Sequence, residues 1–334
     1  INGLTVLIVI WYGGIRVMRG DLLVADIVAF IAYLNVLAWP TAAFGWMLSL
    51  VERGRAAMRR LEEILETKPE ITDAAEPEPL GALKQGIEFR DVSFAYERSK
   101  NGHPALEGIN FSLPVGCSVG LVGRVGSGKS TLAQLVPRLF DVSTGAILID
   151  GRDSRTLPLR DLRRLIGYVP QEPFLFSNSL KANLALGREK YSEEELARAV
   201  GIARLDRDLE IFPLGVDTLV GERGVTLSGG QKQRATLARA LIMDPPVLIL
   251  DDCLSSVDAQ TEAEILHGLR SILKEKTCLI ISHRISAVRE ADEILVLDEG
   301  RIIERGDHDE LVRHGGVYAE LYQQQRLSEE LEQI

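Results

Sequence analysis

From Ile27 to Val51 the sequence IVAFIAYLNVLAWPTAAFGWMLSLV contains no charged residue. About 20 apolar residues suffice to cross a bilayer as a helix, so the pattern predicts a membrane span. A buried core helix rarely stays uncharged on every face for so long. A secretory signal is the other rival, but the initiating Met, the basic leader and the small-residue cleavage site are all missing. The opening INGLTVLIVIWYGGI is a second uncharged stretch, ended by Arg16 and Arg19. Pro40 falls inside the main span, where neighbouring helices can cover the carbonyl it frees. Arg53, Arg55, Arg59 and Arg60 follow, and such an Arg excess marks the cytoplasmic flank. The rest of the chain is therefore expected in the cytosol. Opening on Ile inside an apolar run, the sequence reads as a piece of a longer membrane protein.

Beyond the span the periodicity changes. RAAMRRLEEILE predicts a charged helix, and TKPEITDAAEPEPLGALKQG, residues 67–86, has the Pro, Glu and Gly content of a linker. From Ile87 short β-rich runs appear: IEFRDVSFAY, ALEGINFSLPVG, SVGLVG, AILIDG, LIGYV, VLIL, TCLIIS, EILVLD and RIIERG. Helical stretches separate several of them, which predicts an α/β domain with a largely parallel core sheet and an antiparallel start. A mostly helical section spans about Asn178 to Ala238, and there Ser192 and Glu195 form a capping-box pattern. Glu193–Glu195 suit the first turn of that helix.

Charge and cysteine content narrow the classes. A net charge of -10 argues against nucleic acid as a partner, because such surfaces need clustered Lys and Arg. Cys117, Cys253 and Cys278 lack ligand spacing and read as small buried hydrophobes in a reducing compartment.

The chemistry gathers at strand ends. Gly123-Arg-Val-Gly-Ser-Gly-Lys-Ser130 follows SVGLVG and opens the helical stretch STLAQLVPRLF, the context of a phosphate-binding P-loop. Gly123, Gly126 and Gly128 let backbone N–H groups wrap phosphate oxygens, with Ser127 and Thr131 beside them. Lys129 would reach the β/γ phosphates of ATP and Ser130 would ligate Mg2+. VLIL runs into Asp251 and Asp252, and Asp251 is placed to hold the same ion. Leu227-Ser-Gly-Gly-Gln231 precedes the helical QKQRATLARALI shortly before that strand.

In this position LSGGQ resembles the signature motif of ABC ATPases, and the other motifs fall into that family's order. Tyr96 matches the aromatic that stacks on adenine. Gln171, in YVPQEP, matches the glutamine that meets the metal and couples the nucleotide site to the membrane domain. Ser255–Asp258 resembles the loop crossing between two such domains, and His283 the histidine that senses the γ-phosphate. The resemblance implies a RecA-like core with an antiparallel β subdomain and a helical subdomain, covering residues 87–325. It also implies a head-to-tail pair, with ATP held between one P-loop and the opposite Ser228, Gly229, Gly230 and Gln231. Asp217–Gln231 is similar to the exporter form, in which Glu222 lies near the coupling helices. RGDLLVADIVAFIAYLNVLAWP resembles the last exporter membrane helix, so residues 1–66 stand for about the last two spans and their cytosolic extension.

One position departs from the family. Hydrolytically competent members carry a glutamate after the Mg2+ aspartate, where this chain has Asp252. The resemblance then implies a half-transporter whose own site is slow, paired with a non-identical subunit that bears the glutamate. A homodimer with two slow sites is the alternative, and a purely regulatory nucleotide-binding subunit is another. A soluble ABC ATPase is opposed by the span, and an importer by having span and ATPase on one chain. Implied partners are membrane lipid and a hydrophobic or amphipathic substrate, in the inner membrane of a prokaryote. The tail, residues 326–334, places Leu327, Leu331 and Ile334 on one helix face, suited to a partner's tail or to its own domain, with a frayed terminus as the remaining alternative.

Overall fold

The computed structural model describes residues 2–96, 104–188 and 190–332. The chain divides into two units, Ile1–Glu70 and Ile71–Ile334.

The first unit holds helices α1 (Asn2–Met18) and α2 (Val24–Glu66). The predicted span and the charged helix after it form one continuous 43-residue helix. Ala, Arg, Leu and Glu are strong helix formers, and Gly54 alone costs only about 1 kcal/mol. The helix also continues through Pro40, beside which Thr41 donates its hydroxyl to the Leu37 carbonyl at 2.7 Å. At about 1.5 Å per residue α2 is roughly 65 Å long, about twice a hydrocarbon core of roughly 30 Å. Its charged C-terminal part therefore reaches well beyond any span centred on Ile27–Val51. No residue of α2 is buried, and Trp39 is 79% exposed. Among the described residues it is the one helix long and apolar enough to cross a membrane. Apolar surface on that scale needs lipid or further helices to cover it. Gly13 marks the close approach of α1 to α2, since a Cβ there would lie 3.1 Å from the Ile27 side chain.

The second unit contains strands β1 (Gly86–Phe94), β2 (Leu106–Pro114), β3 (Ser118–Gly123), β4 (Thr144–Ile149) and β5 (Arg152–Asp153). These are followed by β6 (Ile166–Val169), β7 (Val247–Asp251), β8 (Thr277–Ile281), β9 (Glu293–Asp298) and β10 (Arg301–Gly306). Its helices begin with α3 (Lys129–Leu135), α4 (Leu159–Arg164), α5 (Leu180–Leu184), α6 (Glu193–Ile202) and α7 (Asp206–Ile211). They end with α8 (Gly229–Ile242), α9 (Ala259–Glu275), α10 (Ile285–Val288), α11 (His308–His314) and α12 (Val317–Glu332).

One sheet is antiparallel, in the order β2-β1-β4-β5, and the other runs β10-β9-β3-β8-β7-β6. All neighbours in the second sheet are parallel except β9 and β10. Strands β3, β7 and β8 are buried at every position, as the unbroken apolar runs require when both faces are covered. Between the sheets lies a core that includes Phe89 and Phe111, stacked at 4.4 Å, with Leu121 and Leu132. A second core joins Leu248 and Leu250 of β7 to Leu237 of α8 and Leu269 of α9. The capping box of Ser192 and Glu195 forms as expected at the start of α6.

Three segments differ from the sequence pattern. The helix expected over STLAQLVPRLF stops at Leu135, because Pro137 lacks an N–H and Arg138 adopts a left-handed φ of +54°. The tail boundary at residue 326 falls inside α12, in which Leu327 is 60% exposed, while Ile334 lies outside the described residues. The third is the linker-like stretch, of which residues 71–86 belong to the second unit. Asp73 accepts the N–H of Leu159 at 2.7 Å, Glu78 N–H donates to the Thr156 carbonyl at 3.0 Å, and Leu80 and Leu83 pack on the inter-sheet core.

Residues 71–86 thus form a strap that ends on Asp150, whose carboxylate accepts backbone N–H groups of Lys84 (3.0 Å), Gln85 (2.7 Å) and Gly86 (3.2 Å). Partial burial alone would raise this carboxyl's pKa, but the N–H groups of Gln85, Lys84 and Gly86 outweigh it and hold it below the usual range. A group with a depressed folded pKa stabilises above its unfolded value of about 3.9 and loses that contribution as pH falls through the folded value. Asp150→Asn keeps the shape and the tolerance for the φ of +51° seen here. It should cost about 1 kcal/mol at pH 7, with the gap to wild type closing below about pH 4. Chemical unfolding of both chains across that range checks it, and equal stability at pH 7 would remove Asp150 from this role.

Candidate functional site

The P-loop leaves the C-terminal end of β3, and its geometry dictates its glycines. A Cβ on Gly123 (φ +151°) would lie 2.0 Å from the Leu297 carbonyl oxygen, and one on Gly128 (φ +103°) 2.5 Å from that of Ala105. Only glycine fits both the conformation and the space. A Cβ on Gly126 would meet nothing within 4 Å, so the loop there faces outward. Gly128 caps α3, which leaves the first N–H groups of that helix free for an anion. Ser127 within the loop and Thr131 just after it are both buried.

Lys129 is 5% exposed, and its Nζ donates to the carbonyls of Gly123 (2.9 Å) and Arg124 (2.7 Å). Burial lowers its pKa, while Asp252 and Asp251 pull the other way. Ser130 Oγ donates to Asp251 Oδ1 at 2.9 Å, and Tyr168 Oη donates to Asp251 Oδ2 at 3.1 Å. Asp251 is only 1% exposed. Burial raises its pKa despite the Ser130 and Tyr168 hydrogen bonds, with Asp252 adding to the rise and Lys129 opposing it. A hydroxyl and a buried, under-compensated carboxylate form a hard oxygen donor set of the kind Mg2+ takes alongside phosphate oxygens and water. Among the described residues no cluster of three His, Cys, Asp or Glu competes as a metal site.

Asp252 is 8% exposed and has a left-handed φ of +45°. Its Oδ1 accepts the backbone N–H of His283 at 3.4 Å, and its Oδ2 accepts from Gln171 Nε2 at 3.5 Å. Gln171 follows β6, Asp252 follows β7 and His283 lies just past β8, so adjacent parallel strands deliver all three to one edge. The pKa of His283 is lowered, first by desolvation and then by Lys129, with Asp252 and Asp251 in opposition. Its carbonyl accepts from Gln325 Nε2, and Gln325 Oε1 accepts the Ile285 N–H at 2.8 Å. Tyr96 is 38% exposed and bonds Thr131 Oγ1 through its hydroxyl at 3.0 Å. Its ring makes edge contacts with Phe94 and Phe140.

The signature residues stand apart from this group. Ser228 caps α8 and accepts the Gln231 N–H at 3.2 Å, while Gln231 Oε1 accepts the Ser228 N–H at 2.8 Å. Gly229 and Gly230 face Ser256, with a Cβ on Gly230 falling 2.9 Å from the Ser256 carbonyl oxygen. Gln233, on the same helix, donates to Ser255 Oγ at 2.9 Å and accepts the Ser256 N–H at 2.8 Å. The signature helix and the Ser255–Asp258 loop are thus tied together. Sequence reasoning missed Tyr168 and Gln233. LIGYV reads only as an apolar strand, and QKQR only as a helix face.

A family description, ABC transporter, matches residues 106–255. The chain is 42% identical over 325 residues to the "Probable multidrug resistance ABC transporter ATP-binding/permease protein YheI" of Bacillus subtilis, covering 97% of this chain and 55% of that protein. It is 38% identical over 325 residues to the "ATP-dependent lipid A-core flippase" of Desulfotalea psychrophila, covering 97% of this chain and 56% of that protein. The chain spans about half the length of the curated relatives it matches. Among solved structures it is similar to that of a bacterial Atm1-family ABC exporter with ATP bound. The TM-score is 0.77 at 36% identity, over 91% of this chain and 53% of that one. Residues 106–255 thus match the ABC transporter family, nearly the whole chain is similar to exporters of that family, and the second unit has the α/β fold of the ABC ATPase domain.

Proposed function

We propose that the chain is the ATP-binding and ATP-hydrolysing part of an ABC exporter half-transporter, and that its own nucleotide site is the slow one of an unequal pair. The observation that carries the reading is Asp252 and an intact LSGGQ on the same chain. Ser130 and Asp251 would hold Mg2+, with Gln171 near it, while Lys129 and the N–H groups of Ser127–Thr131 would take the phosphates. The bound ion would neutralise charge on the β and γ oxygens. Tyr96 would offer its ring to the adenine.

In competent members the glutamate at this position polarises the attacking water. Asp252 is shorter by one C–C bond, roughly 1.5 Å, and misplacing a catalytic group by about 1 Å can cost on the order of a hundredfold in rate. Its two oxygens already face the His283 N–H and the Gln171 amide. Ser228, Gly229, Gly230 and Gln231 would complete the fast site on a partner that bears the glutamate. Closure of the pair would pass through the Gln171 and Glu222 region to the membrane helices. α2 would sit in a prokaryotic inner membrane with the second unit in the cytosol. The relatives' names, multidrug resistance and lipid A-core flippase, support a hydrophobic or amphipathic substrate.

Lys129→Ala should strongly reduce photolabelling of this chain by an azido-ATP analogue, because the phosphates lose their main cation. Tyr96→Ala should reduce it less, one base–aromatic stack being worth about 1–3 kcal/mol. Undiminished labelling of the Lys129 variant would sink the nucleotide-site assignment.

Asp252→Asn should barely change steady-state ATPase activity of the intact transporter, whereas Ser228→Arg should nearly abolish it. Gly230→Asp should do the same but is a less clean probe, since its Cβ would meet Ser256. Loss of most activity in Asp252→Asn would make Asp252 the working base and leave a homodimer with two equal, slow sites as the better reading.

A further inference from the structure

The Gln231 amide is held at both ends. Its oxygen accepts the Ser228 N–H at 2.8 Å, and its Nε2 donates to Asp208 Oδ1 at 2.8 Å. Asp208 lies on α7 and is 9% exposed. Its Oδ2 faces Arg234 Nη1 at 2.6 Å, and Arg234 also donates to the Arg204 carbonyl. Among the described residues Asp208 Oδ2 and Arg234 Nε have no aligned hydrogen bond, so charge is what holds this pair. Arg204 pairs in turn with Glu264 of α9 at 3.1 Å.

A carboxylate can only accept hydrogen bonds, so Asp208 must face the NH2 of Gln231 and never its oxygen. That choice fixes which way the amide points. It leaves Oε1 for the Ser228 N–H, and this contact seats Ser228 at the start of α8. With an apolar residue in place of Asp208 the amide could turn over, and its NH2 would then oppose the Ser228 N–H. An ion pair that merely packed α7 against α8 would not need to reach Gln231 at all.

We propose that Asp208, held in place by Arg234, is a positioning residue for the signature motif. It sets the orientation of the Gln231 amide and so the placement of Ser228 towards the nucleotide bound by the partner subunit. The inference rests on the reading that Ser228–Gln231 serve a nucleotide in trans, and it holds for an equal or an unequal pair.

The test reverses the polarity of the contact in the intact transporter, with ATPase kcat measured per folded molecule. Gln231→Glu sets two carboxylates against each other and should lower kcat by about ten- to a hundredfold. Adding Asp208→Asn to the same chain lets the new amide donate to the new carboxylate, whose other oxygen still accepts the Ser228 N–H. Activity should return to within about threefold of wild type, as strong coupling between contacting residues allows. Per folded molecule, a contact that served only stability would leave kcat nearly unchanged in Gln231→Glu, with nothing to rescue. Should Gln231→Glu fail to fold, Asp208→Ala and Gln231→Ala serve instead: their effects on kcat should not add, and additive losses would overturn the proposal. Ser228→Arg separates the two levels. If it is inactive and the polarity swap gives no rescue, the role of Asp208 falls alone; if it stays active, the signature reading falls with it.

Discussion

Asp251 and Asp252 stand side by side at the end of an apolar strand, 1% and 8% exposed. Each carboxylate withdrawn from water costs several kcal/mol unless donors and cations replace the solvent. The surrounding structure can be understood as that replacement. Ser130 and Tyr168 attend to Asp251, the His283 N–H and the Gln171 amide attend to Asp252, and Lys129 supplies the positive charge. The compensation is incomplete. Burial still lifts Asp251 above its ordinary range, and burial still lowers Lys129. A divalent ion between Ser130 and Asp251 would reverse the first of these shifts, so the site is electrostatically suited to a metal-bound phosphate.

Those donors come from distant parts of the chain, and sheet order brings them together. The P-loop follows β3, His283 follows β8, Asp251 ends β7 and Gln171 follows β6, which are successive neighbours in one parallel sheet. Parallel strands put all their C-terminal ends on one edge, the usual place for ligands in open α/β sheets. The Ser255–Asp258 loop leaves that edge from β7 and is bound to α8 by Gln233. A movement at the carboxylates therefore has a direct mechanical route to the signature helix, which on the proposed reading faces the other nucleotide.

Strand identities were legible because VLIL, TCLIIS and SVGLVG are apolar without interruption, and β-sheet burial on both faces leaves no other composition open to them. The P-loop was legible for a different reason: its glycines sit where a Cβ would strike a carbonyl oxygen, so the spacing is a steric record of the turn. Contacts between segments far apart in sequence left no such trace. The pairs Asp208–Gln231, Tyr168–Asp251 and Gln325–His283 each join ordinary polar residues whose partners only the fold selects. The strap was misleading because Pro, Glu and Gly describe a segment without regular structure. They do not say whether its backbone hydrogen bonds go to water or to Asp150.

The backbone at Asp252 bears on how far an aspartate in place of the family's glutamate would be felt. Its φ of +45° lies in the left-handed region, which short carboxylate and amide side chains tolerate better than most. Its N–H donates to the Ile281 carbonyl at 2.8 Å, so the loop's path is fixed by the sheet and not by the length of the side chain. On the proposed reading, aspartate in place of glutamate here would leave the P-loop, the Ser130–Asp251 pair and the signature helix as they are. Only the reach of one carboxylate would be lost. On the proposed reading such a site would keep its nucleotide-binding groups but release the nucleotide slowly by hydrolysis. Bound nucleotide adds to the stability of whatever state holds it, by RT ln(1 + [L]/Kd) for a single site. An occupied slow site would thus bias the pair towards its closed form, leaving the faster site to time each opening.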